Sequence, residues 1–121
     1  MPKKILIVED SPDIGNALKL LIELEGYEVA VAPTGAEGLD KSAAGRPDLI
    51  VIDYRLPDLS GAELIRRLRA QPANGGTPIL CVSSYLIGYE AEVISAGCDE
   101  VFSKTTFIQN FRETLKKYLG E

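Results

Sequence analysis

The chain has 121 residues, of which 45% are hydrophobic, and it carries a formal net charge of −5 with no histidine. This length and composition predict one domain, residues 1–121, with a core of its own. The negative charge argues against direct binding to nucleic acid, which needs a basic face to neutralise phosphates. No apolar run approaches the roughly 18 residues of a membrane span, and the first residues do not form a signal peptide, so we expect a cytoplasmic protein.

Five short apolar runs rich in Ile and Val predict five strands. In chain order they are residues 3–8, 27–32, 48–53, 78–83 and 100–103. The first, third and fourth runs are nearly all apolar, which is typical of central strands covered on both faces.

Helix-start signals follow these strands. Ser11 precedes Pro12 and an apolar face that ends at Gly26, which predicts a first helix capped by Ser11. Similar starts follow Thr34, Ser60 and Thr105. Amphipathic spacing predicts helices over residues 61–70 and 107–119. Regular alternation of strands and helices predicts an α/β fold with parallel strands, so all five strands end at one edge of the sheet, where ligands bind in such folds.

Polar residues stand at the ends of four predicted strands. They are Glu9, Asp10, Asp53, Ser83 and Lys104. Ionised carboxylates about 4 Å apart repel by about 4 kcal/mol per pair at an effective dielectric of 20, so we expect a cation among the three acids. Mg²⁺ suits this set because it is held by one or two carboxylates and keeps waters that a phosphate can replace.

The other two strand-end residues complete the components needed for phosphoryl transfer to an aspartate. We expect the Lys104 ammonium to pair with Asp53 before a phosphoryl group arrives and with a phosphoryl oxygen afterwards. The Ser83 hydroxyl can donate a hydrogen bond to another of those oxygens. Asp53 is the predicted nucleophile because it ends the most continuous apolar strand and precedes a loop in which Pro57 and Gly61 fix a turn.

Each of these residues, taken alone, also has an ordinary structural explanation. Adjacent acids such as Glu9 and Asp10 often serve only as charges favoured by the helix dipole, and for Asp13 we prefer that explanation. A lone aspartate can form a turn, a lone serine can bond to backbone, and a lone lysine is usually solvated. The joint placement at one sheet edge favours a functional site.

The ordered set resembles the receiver domain of two-component response regulators over the whole chain. The matching segments are ILIVEDS, PDLIVIDYRLPDLSGAELIRRLR, PILCVSS and AGCDEVFSK. The resemblance implies a flavodoxin-like fold, a doubly wound five-stranded parallel sheet with strand order 2-1-3-4-5 and five helices. It also implies Mg²⁺-dependent phosphorylation of Asp53 from a phosphohistidine on a sensor histidine kinase or histidine phosphotransfer protein. The chain has no histidine and cannot be its own phosphohistidine donor.

The resemblance also implies a set of metal ligands. Asp10 and Asp53 would bind the metal directly, the backbone carbonyl of Arg55 would be the third protein ligand, and Glu9 would help through water. Glu9 stands where the family more usually has aspartate, and its longer carboxylate suits such a water-mediated contact.

The chain departs from the family near its fifth strand. Val101 stands where the family often has an aromatic switch residue, and Phe102 cannot replace it because neighbouring strand residues point to opposite faces. We therefore hypothesise that the loop after Ser83 carries the signal. Thr105 stands where the family commonly has proline with a cis peptide, so we predict a trans Lys104–Thr105 bond.

Large side chains also follow two of the site residues. We hypothesise that Arg55 and Tyr85 border the phosphoryl group, hinder water and lengthen the lifetime of the phosphorylated state. Tyr85, Leu86, Ile87 and Tyr89 form either an exposed docking patch or part of the core, and the sequence favours neither.

The leading functional hypothesis is a signalling switch in which phosphorylation of Asp53 changes partner binding. The expected output surface for a downstream protein is the face of the fourth helix, fifth strand and fifth helix. We expect a single-domain regulator or phosphorelay shuttle that catalyses only its own phosphorylation and dephosphorylation.

Three alternatives stay open. A Mg²⁺-dependent phosphatase with an aspartyl-phosphate should have a second acid two residues after Asp53, which the sequence does not supply. A flavin or nucleotide module needs a phosphate-binding loop after the first strand, where EDSPD would repel phosphate. A receiver that is never phosphorylated is the third.

Overall fold

The computed structural model describes residues 2–84 and 88–120. Within these residues, five parallel strands form one sheet with the order β2-β1-β3-β4-β5. The strands are β1 Lys4–Val8, β2 Glu28–Ala32, β3 Leu49–Asp53, β4 Ile79–Ser83 and β5 Glu100–Ser103. Each lies within one residue of the predicted run, and the three nearly apolar strands β1, β3 and β4 are central, as predicted.

Helices connect successive strands and cover both faces of the sheet. They are α1 Pro12–Glu23, α2 Gly35–Gly45, α3 Gly61–Ala70, α4 Glu90–Ala96 and α5 Lys104–Leu119, with a short 3₁₀ helix at Pro72–Asn74. This alternation confirms the doubly wound α/β fold. No helix in the described part of the chain is both long and apolar enough to cross a membrane.

Hydroxyl caps set the starts of α1, α2, α3 and α5. The predicted caps Ser11, Thr34 and Ser60 accept backbone N–H bonds at the starts of α1, α2 and α3. The prediction for the last helix was wrong. Its cap is Ser103, whose Oγ accepts the Thr106 N–H at 3.0 Å, and not Thr105. The reason is that β5 runs directly into α5, so that the last strand residue, still extended, already has the geometry of a helix cap.

The sheet separates two apolar clusters that hold these elements together. One cluster packs α1 and α5 against one face, and the other packs α3 and α4 against the opposite face. β3 and β4 are buried along their whole length, and burial of each Ile, Leu or Val side chain contributes about 1.5–3 kcal/mol. The ends of β3 and β4 therefore stand on the buried centre of the sheet.

Consecutive residues of β5 face opposite clusters. Phe102 packs on the α1 and α5 side, where its ring lies 5.8 Å from that of Phe107, and Val101 packs on the other side. This confirms that Phe102 cannot take the place of an aromatic residue at position 101. Among the described residues no peptide bond is cis, so the predicted trans Lys104–Thr105 bond is confirmed.

Candidate active site

Three carboxylates meet at the carboxyl edge of the sheet. β1 lies beside β3, which brings Glu9 and Asp10, just after β1, next to Asp53 at the end of β3. One oxygen from each of the three carboxylates lies within 4.8 Å of the others. Glu9 and Asp53 are buried, with 4% and 8% exposure, whereas Asp10 is exposed. Hard oxygen ligands at this spacing, with one side open to solvent, fit a divalent cation such as Mg²⁺.

Lys104 supplies the positive charge inside this cluster. Its Nζ lies 3.2 Å from Glu9 Oε1 and 3.3 Å from Asp53 Oδ2. The sequence predicted the contact with Asp53, but not the one with Glu9. Burial lowers the pKa of Lys104, but Asp53 and Glu9 outweigh this and raise it overall. Burial, with the charge of Asp53, raises the pKa of Glu9 even though Lys104 opposes the change. The ammonium therefore holds the two buried carboxylates together.

Ser83 brings a hydroxyl to the same edge and has a partner that the sequence did not predict. It ends β4, which pairs with β3 beside Asp53, and its Oγ accepts a hydrogen bond from the Tyr89 hydroxyl. Tyr89 is buried, and its ring stacks on that of Tyr54 with centroids 3.8 Å apart and an interplanar angle of 11°. For Tyr89 the core interpretation is therefore correct. Tyr85, Leu86 and Ile87, which the sequence analysis grouped with Tyr89, lie outside the described residues. The hypothesis that Tyr85 borders the phosphoryl group concerns one of these residues and stays a prediction.

The loop after Asp53 forms a tight turn beside the Asp53 carboxylate. The Arg55 N–H donates to Asp53 Oδ1 at 3.3 Å, and Arg55 forms an isolated antiparallel bridge with Ser60. The Gly61 N–H donates to the Tyr54 carbonyl at 2.7 Å, and a Cβ at position 61 would lie only 2.9 Å from Tyr54 Cα. Gly61 therefore fixes the turn, as predicted. The roles of the Arg55 carbonyl and side chain stay predictions.

Asp58 binds this loop to the start of α2, a contact that the sequence did not indicate. Its two carboxylate oxygens accept the N–H groups of Gly35 at 2.8 Å and Ala36 at 2.9 Å. These N–H groups, led by that of Ala36, lower the pKa of Asp58. A carboxylate at a helix N-terminus is stabilised by the orphan N–H groups and the helix dipole. The loop that carries Arg55 is therefore held by the hydrogen bond between Gly61 and Tyr54 and by the hydrogen bonds of Asp58 to the start of α2.

Replacing Asp58 with asparagine should lower the melting temperature at neutral pH, because an amide gives the α2 terminus only one oxygen and no charge. The folded-state pKa of Asp58 is lowered, so its stabilisation is fully present above the unfolded pKa of about 3.9 and is lost as the pH falls through the folded value. The gap between variant and wild type should narrow over that acidic range in thermal melts. Asp40→Asn, at an exposed acid on α2, is the control. A gap that is constant with pH would contradict this account.

Comparison with known proteins identifies the family. A sequence model of the response regulator receiver domain matches residues 5–116. The polar-differentiation response regulator DivK of Brucella anthropi is 36% identical over 122 residues, covering 100% of this chain and 99% of that protein.

Two solved structures are similar over nearly their whole length. A receiver domain of a Pseudomonas aeruginosa sensor histidine kinase, with a magnesium ion coordinated in its active-site cleft, has a TM-score of 0.90 and 26% identity, with 100% of both chains covered. The response regulator TrrA of Thermotoga maritima, in complex with Mg²⁺ and beryllium fluoride, has a TM-score of 0.86 and 32% identity, with 97% of this chain and 99% of that chain covered. The chain therefore belongs to the response regulator receiver domain family.

Proposed function

We propose that Asp53 is the phosphoacceptor of this receiver domain and that it takes its phosphoryl group from a phosphohistidine on a sensor histidine kinase or histidine phosphotransfer protein. Receiver domains are phosphoacceptor signalling switches. The observation that carries the assignment is the position of Asp53, a buried carboxylate in contact with Lys104 and within 4.8 Å of two further acids. These 121 residues contain no histidine, so the phosphohistidine lies outside this domain.

In the transfer, a carboxylate oxygen of Asp53 forms the new bond to phosphorus as the phosphorus–nitrogen bond of the phosphohistidine breaks. The electron pair of that bond stays on the imidazole, which leaves and takes up a proton. The Lys104 ammonium moves from Asp53 to a phosphoryl oxygen, and the Ser83 hydroxyl donates to another. Both groups stabilise negative charge where it accumulates, which is the main requirement of this reaction.

The residues present fit a resident Mg²⁺. Asp10 and Asp53 are the proposed direct ligands, with the Arg55 carbonyl as third and Glu9 acting through water. Bound there, the ion would neutralise charge on the phosphoryl oxygens.

The proposed output is a change in binding of a downstream protein to the face formed by α4, β5 and α5. Ile94 on α4 is a large apolar side chain that is about half exposed. Two of these elements are also joined by an ion pair, in which Lys117 Nζ lies 2.9 Å from Glu100 Oε1.

Intact mass tests the acceptor. After incubation with acetyl phosphate and Mg²⁺, we expect the wild type to gain the mass of one phosphoryl group and Asp53→Asn to gain none. Asp40→Asn removes an exposed acid elsewhere and should gain the same mass as the wild type. An equal gain in Asp53→Asn would show that the acceptor is another residue.

A further inference from the structure

Tyr89, at the start of α4, contacts two residues that lie beside Asp53, namely Ser83 and Tyr54. Tyr89 at the start of α4 donates to Ser83 Oγ, and its ring lies flat on that of Tyr54, the residue after Asp53. We infer that Tyr89 is a positioning residue for phosphoryl transfer, which orients the Ser83 hydroxyl toward Asp53 and links that orientation to the start of α4. This inference rests on the proposed function of Asp53.

The hydrogen bond from Tyr89 uses a lone pair of Ser83 Oγ and not the proton of its hydroxyl. A serine hydroxyl has one proton and two lone pairs, so an oxygen that accepts from Tyr89 can still donate its own proton to a phosphoryl oxygen. Accepting a hydrogen bond also polarises a hydroxyl and strengthens the bond that it donates. Both Ser83 and Tyr89 are buried, so water cannot easily replace the phenol in this role.

The Tyr89 phenol is held in place by burial and by a ring stack. Its ring is stacked on that of Tyr54, and this stack does not depend on the Tyr54 hydroxyl, which donates to an exposed carboxylate oxygen of Glu92 on α4 at 3.4 Å. A tyrosine has few side-chain torsions, and stacking and burial restrict them further, so the position of its hydroxyl is well defined.

The same contacts couple the site to α4. Tyr89 is the N-cap residue of α4, yet its side chain does not cap the helix and contacts Ser83 instead. A shift of the Ser83 hydroxyl toward a phosphoryl group therefore alters a contact that holds the first turn of α4. Position 101 of β5 is a valine, which has no hydroxyl. The aromatic hydroxyl that contacts Ser83 comes instead from Tyr89, at the start of α4.

Phosphorylation kinetics in a double-mutant cycle test the inference. The variants are Tyr89→Phe, which removes only the hydroxyl, Ser83→Ala, and the combination of both. Tyr54→Phe is the matched control, because it removes the other hydroxyl of the same ring stack. We expect Tyr89→Phe to slow phosphorylation by acetyl phosphate and Mg²⁺ roughly three- to tenfold, the rate equivalent of one net hydrogen bond. It should have no further effect in the Ser83→Ala background, and Tyr54→Phe should react like the wild type.

A second measurement does not depend on the reaction rate. Beryllium trifluoride with Mg²⁺ occupies the position of a phosphoryl group on a carboxylate, and its three fluorines give separate ¹⁹F resonances. We expect Ser83→Ala and Tyr89→Phe to shift the same single resonance, and Tyr54→Phe to shift none.

The outcomes separate this inference from the function on which it rests. If the wild type gains no phosphoryl group, the proposed function and the inference both fail. If the wild type reacts, three results would overturn only the role of Tyr89. The first is that Tyr89→Phe reacts as fast as the wild type, and the second is that it slows the reaction equally with and without the Ser83 hydroxyl. The third is that Tyr89→Phe does not shift the ¹⁹F resonance that Ser83→Ala shifts.

Discussion

Replacing Lys104 with glutamine is expected to lower the free energy of unfolding by about 2–4 kcal/mol in metal-free buffer. Its ammonium contacts Glu9 and Asp53 at 3.2 and 3.3 Å, and both carboxylates are buried. Without it, two acids that share a site with Asp10 lose their common cationic partner. Lys104 is 24% exposed, so water reduces the cost below that of a fully enclosed pair.

Magnesium should recover more stability in Lys104→Gln than in the wild type. A cation that binds only the folded protein stabilises it by an amount that rises with the logarithm of its affinity, and the variant gives Mg²⁺ the same carboxylates without a competing ammonium. Urea unfolding with and without Mg²⁺ measures both effects. Lys117→Gln is the control, because its ion pair with Glu100 is exposed and should contribute less than about 1 kcal/mol. Equal losses in the two variants, or equal gains from Mg²⁺, would refute the prediction.

Replacing Arg69 with methionine should lower the free energy of unfolding by roughly 3–5 kcal/mol. The guanidinium joins α3 to two other parts of the chain. It donates to the Gly97 carbonyl at 2.8 and 3.0 Å, to the Asn74 carbonyl at 2.7 Å and to the Thr77 carbonyl at 2.6 Å. It also pairs with Asp99 at 2.8 Å. Methionine would fill much of the space but leave three backbone carbonyls without this donor.

The matched control lies on the same helix. Arg67 forms an exposed ion pair with Glu63, and Arg67→Met should change stability by no more than about 1 kcal/mol. Arg69→Lys should recover only part of the loss, because one ammonium cannot reproduce the planar guanidinium fork. Urea unfolding of the three variants provides the comparison. A loss in Arg69→Met no larger than in Arg67→Met would show that these hydrogen bonds are compensated elsewhere.

The strands and the placement of the acidic cluster could be predicted because local patterns determine them. The apolar runs of β1 and β3 predict buried parallel strands, and the geometry of such sheets places Glu9, Asp10 and Asp53 at one edge. The caps Ser11, Thr34 and Ser60 are equally local signals. The predicted cap of α5 was wrong because both Ser103 and Thr105 carry a hydroxyl that could cap a helix. Ser103 is the cap because β5 continues directly into α5.

The contacts that the sequence did not predict join different elements of the fold. Asp58 reaches back 23 residues to Gly35 only because α2 and the loop after β3 lie side by side at the same edge. The Tyr89 hydroxyl donates to Ser83, and the alternation of strands and helices along the sequence does not predict this contact. Predicting that Lys104 also pairs with Glu9 would have required knowing how far the Lys104 side chain extends from the end of β5 toward the ends of β1 and β3.

The magnesium dependence of the mass gain tests the central claim most directly, namely that carboxylates from two strand ends gather one dication so that Asp53 can accept phosphorus. Intact mass is measured after acetyl phosphate treatment in Mg²⁺ and in excess chelator, for the wild type, Asp10→Asn and Asp13→Asn. We predict that the wild type and Asp13→Asn gain the mass of a phosphoryl group in Mg²⁺. We predict no such gain in excess chelator, and none for Asp10→Asn. A full gain in chelator, or in Asp10→Asn, would contradict the account.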